Sequence, residues 1–205
     1  SRLFSNFEAQ FMAPSILEAA RNAKVKVAFH LDHGANDEVI TKALRWGCTG
    51  VMRDASTSPF EENVAILKNV VERAHAVGVS VEGELGHIGV AKDGVSTEYT
   101  KVDEAKKFVD ETGVDALAIM VGTAHGHYKQ APVLAIDRIA EIHAATKAAL
   151  VLHGGSGVAV PVALRAAKAN KQHAGARPAG VIRNGGNFKF FHAFGTFPNQ
   201  FAQLH

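Results

Sequence analysis

Three histidines stand beside glycine in short motifs that each follow an apolar run. They are His33 in His30-Leu31-Asp32-His33-Gly34, His125 in Gly122-Thr123-Ala124-His125-Gly126, and His153 in His153-Gly154-Gly155-Ser156-Gly157. Three imidazoles around one point, with a fourth position left open, are a common way to hold a catalytic zinc ion. The only cysteine is Cys48, so neither a cysteine-based structural zinc site nor an internal disulfide is available. A catalytic metal therefore fits better than a structural one. The spacing has no local signature of the His-x-x-x-His kind, and the same pattern also fits exposed loop histidines beside flexible glycines.

Carboxylates accompany these histidines. Asp32 adjoins His33; near a bound metal it can carry a proton to or from a hydroxyl group, or it can cap the helix that follows. Asp54 and Glu84 can ligate a second cation or orient a ligand histidine. They can equally serve as a helix cap or in a surface ion pair. The Gly154-Gly155-Ser156-Gly157 turn would offer backbone N–H groups at a helix start, a ready phosphate site. The turn Gly122 to Gly126 is a second of this type.

The elements that must position these groups alternate along the chain. Strands are expected over Val25–Leu31, Thr49–Met52, Val79–Leu85, Asp115–Val121 and Ala149–Leu152, each a short apolar run with β-branched content. Between them, apolar residues at helical spacing predict helices over Ala35–Trp46, from Ser58 to Val77, from Thr100 to Thr112 and over Ile136–Thr146, with Val160–Asn170 last and Ala13–Asn22 first. Ser58-Pro59-Phe60-Glu61 reads as a capping box with proline at the first helical position, and Thr100 to Asp103 as a second such start. Glu82 and Glu84 fall on one face of their strand by the two-residue period.

Strict alternation of strand and helix implies a parallel sheet with helical crossovers, either doubly wound or a (β/α)8 barrel. Four of the five strands end on a residue able to do chemistry: Asp32 and His33, Asp54, Glu84, and His153. The fifth reaches His125 four residues beyond Val121. A barrel gathers residues from many strand ends on one rim, so the α/β class with a TIM barrel is the expected architecture. Five of its eight strands are recognisable, which makes the barrel incomplete. One barrel domain over 1–205 is expected, with divergent, irregular ends at 1–15 and 171–205. Six of the twelve phenylalanines lie between Phe188 and Phe201, a pattern of core or subunit contact.

The formal net charge of +2 gives no reason to expect nucleic acid or an anionic membrane surface as partner. No apolar run approaches the roughly 20 residues of a membrane span, and the first residues lack the pattern of a secretory signal. A cytoplasmic location is expected.

The chain from about Ile16 to Ala167 resembles the class II, zinc-dependent ketose-bisphosphate aldolases, most of all the fructose-bisphosphate type. Five motifs carry the resemblance in order: His30-Leu31-Asp32-His33-Gly34, Val51-Met52-Arg53-Asp54-Ala55-Ser56, Val81-Glu82-Gly83-Glu84-Leu85-Gly86, Gly122-Thr123-Ala124-His125-Gly126 and His153-Gly154-Gly155-Ser156-Gly157. The resemblance implies a lyase of carbohydrate metabolism, glycolytic in type. It would cleave fructose 1,6-bisphosphate reversibly into dihydroxyacetone phosphate and glyceraldehyde 3-phosphate. It further implies His33, His125 and His153 as zinc ligands, Asp32 as the catalytic proton carrier, and Asp54 and Glu84 at a second metal position or behind the ligands. Gly126, Gly154 and Ser156 would hold a substrate phosphate beside a monovalent cation, Na+ or K+. A small sugar phosphate is then the partner, and a homo-oligomer, dimer or tetramer, the assembly.

The chain departs from the family pattern in three places. Lys92 stands where the family carries a glutamate base, with Asp93 next to it. The stretch before Ile16 does not match the family's first two strands. Beyond Ala167 the last strand and its Asn-x-x-Thr-like segment are absent. These departures keep a second function in view, a remnant that binds zinc or sugar phosphate without turnover. A third is a metal-dependent hydrolase on the same rim.

Overall fold

The computed structural model describes residues 9–25, 27–88, 98–125, 128, 130–155 and 158–170. Lys92, Asp93, Gly126, Ser156 and the phenylalanine-rich tail lie outside the described residues. In chain order the elements are α1 (Ala9–Arg21), β1 (His30–Gly34), α2 (Asp37–Arg45), β2 (Gly50–Arg53), α3 (Phe60–His75) and β3 (Ser80–Leu85). After these come α4 (Val102–Thr112), β4 (Ala116–Ile119), α5 (Ile136–Ala145), β5 (Ala149–Val151) and α6 (Val160–Ala169). All five expected strands and all six expected helices are present.

The five strands form one sheet in the order β1-β2-β3-β4-β5. The pairs β1–β2, β2–β3 and β4–β5 run parallel. A doubly wound sheet reverses its strand order at a switch point, whereas successive βα units of a barrel do not. The unreversed order agrees with the barrel expectation.

The described residues fall into two compact units, 9–83 with 112–115, and 84–111 with 116–170. In the first, Leu31, Val51, Met52 and Val81 of the strands are buried with Ile40 and Ala43 of α2 and Leu67, Val70 and Ala74 of α3. In the second, Leu117, Ala118 and Ile119 of β4 are buried, as are Ala105 and Phe108 of α4 and Ile139 and Ile142 of α5. A fully buried Phe, Leu or Ile side chain stabilises by about 1.5–3 kcal/mol, so the apolar strands and helix faces bind each unit together.

Several local expectations are corrected. The first strand was expected over Val25–Leu31 but starts at His30 and runs on to Gly34. Val25 is exposed, and the ladder opens only where His30 meets Gly50. Before that point, Phe29 bonds to Thr49 through the Thr49 hydroxyl and backbone. At α3 the cap position is taken by Pro59, which has no side-chain hydrogen bond to offer, so Ser58 falls one residue too early to cap. Thr100 is not a cap either. Its hydroxyl donates to the Leu85 carbonyl at 2.7 Å and accepts from the Met120 amide at 2.9 Å. The cap of α2 is Asn36, whose side chain accepts from the Val39 amide, and so not Asp32.

Candidate metal and sugar phosphate site

The end of β1 contains an irregularity that decides where its side chains go. His30 pairs with Gly50 and Leu31 with Val51, but Gly34 pairs with Arg53. Asp32 and His33 therefore share the place of one partner residue, Met52, as in a β-bulge. His33 takes up a left-handed backbone, with φ 50°. Strict alternation would send Asp32 and His33 to opposite faces. The bulge cancels that alternation, and Asp32 Oδ1 lies 3.8 Å from His33 Nε2.

The next strand end orients the imidazole. His33 Nδ1 and Asp54 Oδ2 are 2.8 Å apart. An ionised carboxylate only accepts, so Nδ1 carries a proton, and in the neutral ring Nε2 carries the lone pair. That is the tautomer in which carboxylate-bound histidines ligate metals. Asp54 is held in turn by Ser56, whose hydroxyl and amide donate to Asp54 Oδ1 at 2.8 and 3.2 Å. The hydrogen bond from His33, aided by those from Ser56 and opposed by burial, holds the Asp54 carboxyl well below the usual carboxylate range. Arg53 donates to the carbonyls of Gly34 and Asp54 and so ties the two strand ends together.

Deeper in the same unit, His30 Nε2 lies 3.2 Å from Glu82 Oε2, and Glu82 is buried. His30 is thus a partner for a buried carboxylate. Gly50 makes room for it, since a Cβ there would lie 2.6 Å from His30 Nδ1. Glu84 is also buried, and its Oε1 accepts from the Ile88 amide at 3.0 Å.

In the second unit, His125 follows β4 and His153 follows β5. Their rings meet edge to face, with centroids 5.5 Å apart and planes at 67°. The turns bearing them are close enough to require glycine. Gly154 has φ 67°, and a Cβ on it would lie 2.4 Å from the Ala124 carbonyl oxygen. Gly122 has φ 101°, and a Cβ there would come within 2.3 Å of the Val133 oxygen. Tyr128 reaches the same place. Its hydroxyl is 2.7 Å from the Ala124 amide nitrogen, 2.7 Å from the Ala124 oxygen and 2.8 Å from the Gly154 oxygen. Sequence reasoning passed over Tyr128. The available signal was its place three residues after His125, together with the rule that a buried tyrosine hydroxyl finds a partner.

Zinc suits the donors expected at the site, His33, His125 and His153: three imidazoles, no thiolate, and one ring already fixed by a carboxylate.

Comparison with known proteins bears on what these groups do. The family model described as fructose-bisphosphate aldolase class-II matches residues 2–172, which takes in all five motifs and leaves 173–205 outside. The chain is 49% identical over 140 residues to a fructose-bisphosphate aldolase of Staphylococcus aureus, a match covering 67% of this chain and 49% of that one. It is 48% identical over 140 residues to the Staphylococcus epidermidis fructose-bisphosphate aldolase, with the same coverage. The chain thus spans about half the length of the curated relatives it matches. Among solved structures, the YdjI aldolase of Escherichia coli K12 superposes with a TM-score of 0.73 at 34% identity, over 82% of this chain and 60% of that one. The fructose-bisphosphate aldolase of Campylobacter jejuni shares the fold with a TM-score of 0.61 at 22% identity, over 79% and 54%.

Proposed function

The chain belongs to the class II fructose-bisphosphate aldolase family, and from that premise we propose that it holds zinc through His33, His125 and His153 and takes part in reversible cleavage of fructose 1,6-bisphosphate. The products would be dihydroxyacetone phosphate and glyceraldehyde 3-phosphate, a glycolytic step. The observation that carries the reading is His33 at a strand end, its ring oriented by Asp54, with the His125 and His153 rings edge to face after β4 and β5.

A zinc ion bound there would supply a Lewis acid for the ketose carbonyl. The remaining work falls to the chain's own groups. Asp32, beside His33, takes the proton from the hydroxyl at the bond that breaks, so that the hydroxyl oxygen becomes the aldehyde carbonyl; the electron pair of the broken carbon–carbon bond passes to the other fragment as an enediolate, which takes up a proton from solvent while Asp32 gives its own back to solvent. In the synthetic direction the same carboxyl returns the proton. Asp54 orients the His33 ring, and Asp54 and Glu84 are the residues expected at a second metal position or behind the ligands. Gly154 lies in a turn suited to a phosphate, with Gly126 and Ser156 as its expected neighbours beside a monovalent cation.

The test has two parts. Elemental analysis of the parent and of His153→Ala should show bound zinc in the first and its loss in the second; equal zinc in both overturns the ligand set. A coupled assay with fructose 1,6-bisphosphate should show cleavage that a chelator abolishes and zinc restores. Cleavage that survives chelation overturns the metal mechanism, and zinc binding without any turnover supports the remnant function instead.

A further inference from the structure

We propose that Tyr128 is a positioning residue for the metal site, its hydroxyl joining the turn that carries His125 to the turn that carries His153. The proposal rests on the zinc reading above and adds a residue to it. Ala124 precedes His125 and Gly154 follows His153, so the residues that the Tyr128 hydroxyl bonds to are the immediate neighbours of the proposed ligand histidines. The phenol accepts from the Ala124 N–H and has one proton to give, which it shares between the Ala124 and Gly154 carbonyls at 2.7 and 2.8 Å. Backbone packing closes the same junction from the other side. Gly154 lies so near Ala124 that an added Cβ would be 2.4, 2.6 and 2.9 Å from its oxygen, carbonyl carbon and nitrogen.

The consequence is geometric. With the two turns locked together beside them, His125 and His153 keep their relative placing. The lock holds the rings edge to face at 5.5 Å, an arrangement that lets nitrogens of both rings address one point. Zinc–nitrogen bonds of roughly 2.0–2.1 Å leave little tolerance. A small separation of the turns is enough to weaken binding.

The experiment measures zinc affinity by competition with a chromophoric chelator, together with thermal unfolding of the metal-free protein and the visible spectrum of the cobalt(II) form. Tyr128→Phe removes only the hydroxyl. It should weaken zinc binding about 10–100-fold, the range for residues that orient metal ligands, and should shift the cobalt spectrum. Gly154→Ala, which forces the same turns apart while keeping the phenol, should do the same; it carries the test should Tyr128→Phe fail to fold. Zinc affinity within about twofold of the parent and an unchanged cobalt spectrum overturn the proposal, even if the metal-free protein melts earlier. That result would leave Tyr128 a structural role only. If His153→Ala also leaves zinc binding unchanged, the failure lies in the zinc reading itself. If His153→Ala abolishes binding while Tyr128→Phe does not, it lies in the positioning role.

Discussion

The two ends of the chain's chemistry are built by different means. At the end of β1 and β2, His33 is held by carboxylates: Asp54 grips Nδ1, itself gripped by the neutral Ser56, and Asp32 stands near Nε2. After β4 and β5, the turns that carry His125 and His153 are joined by neutral groups, through close backbone approach at Gly154 and the Tyr128 hydroxyl. The same difference appears in the backbone. Glycine carries the left-handed positions at 122 and 154, whereas at position 33 the histidine itself carries it. A carboxylate clamp fixes a ring's orientation and proton but depends on charge. A backbone clamp is indifferent to charge but does not tolerate even a methyl group. One region should therefore be sensitive to pH and amide substitutions, the other to added volume.

The largest expected effect tests what the regions share. His33→Ala and His153→Ala should each lower zinc affinity by more than about 100-fold, beyond the loss expected from an orienting residue; chelator competition measures it. A large loss in one and none in the other would mean that only one region holds the ion. Next comes Gly154→Ala, expected to destabilise the metal-free protein by about 1–3 kcal/mol through strain at positive φ, in addition to the clash with Ala124. Urea unfolding checks it, and an unchanged midpoint would remove the backbone clamp from the comparison. Asp54→Asn should then weaken zinc binding about 10–100-fold with little change in the fold, because the amide keeps the shape but can present its NH2 to His33. A smaller difference is expected between His33→Gly and His33→Ala. The glycine variant should be the more stable metal-free protein by about 1 kcal/mol, the cost of a left-handed non-glycine residue.

The smallest effect is a pH dependence confined to the first region. In the folded chain the Asp54 carboxyl lies below its usual range. Its contribution to stability is therefore complete above the unfolded carboxylate value of about 4 and is lost as pH falls through the lower folded value. The stability difference between the parent and Asp54→Asn should persist from pH 7 down to about 5 and shrink only in more acid solution. A difference that has already collapsed at about pH 6 would mean that the carboxylate is not held as described.

Much of this was legible in the residues. The apolar runs and the helical spacing located the strands and helices of the described residues, apart from a first strand that starts five residues later than expected, because burial imposes those periods directly. The five motifs pointed to the family, and the family model matches the chain across all of them. Less legible were the element ends. Ser58 and Thr100 have the composition of caps, yet Pro59 occupies one cap position and Thr100 is drawn to Leu85 and Met120. Local propensity is a weak constraint once a distant partner competes for the same hydroxyl. The role of His30 was likewise settled only by Glu82, a residue 52 positions away in the numbering and one strand beyond its neighbour.

By itself, then, the sequence determined the kinds of groups available, their order along the chain and the strands that present them, because those depend on residue type and short-range periodicity. Tertiary structure decided orientation. The bulge that brings Asp32 round beside His33, the proton fixed on Nδ1 by Asp54, and the Tyr128 hydroxyl reaching from Ala124 to Gly154 all arise where one strand end meets another. Such contacts depend on register and on distances of a few tenths of an ångström between residues far apart in the chain. No local pattern of residue types encodes that.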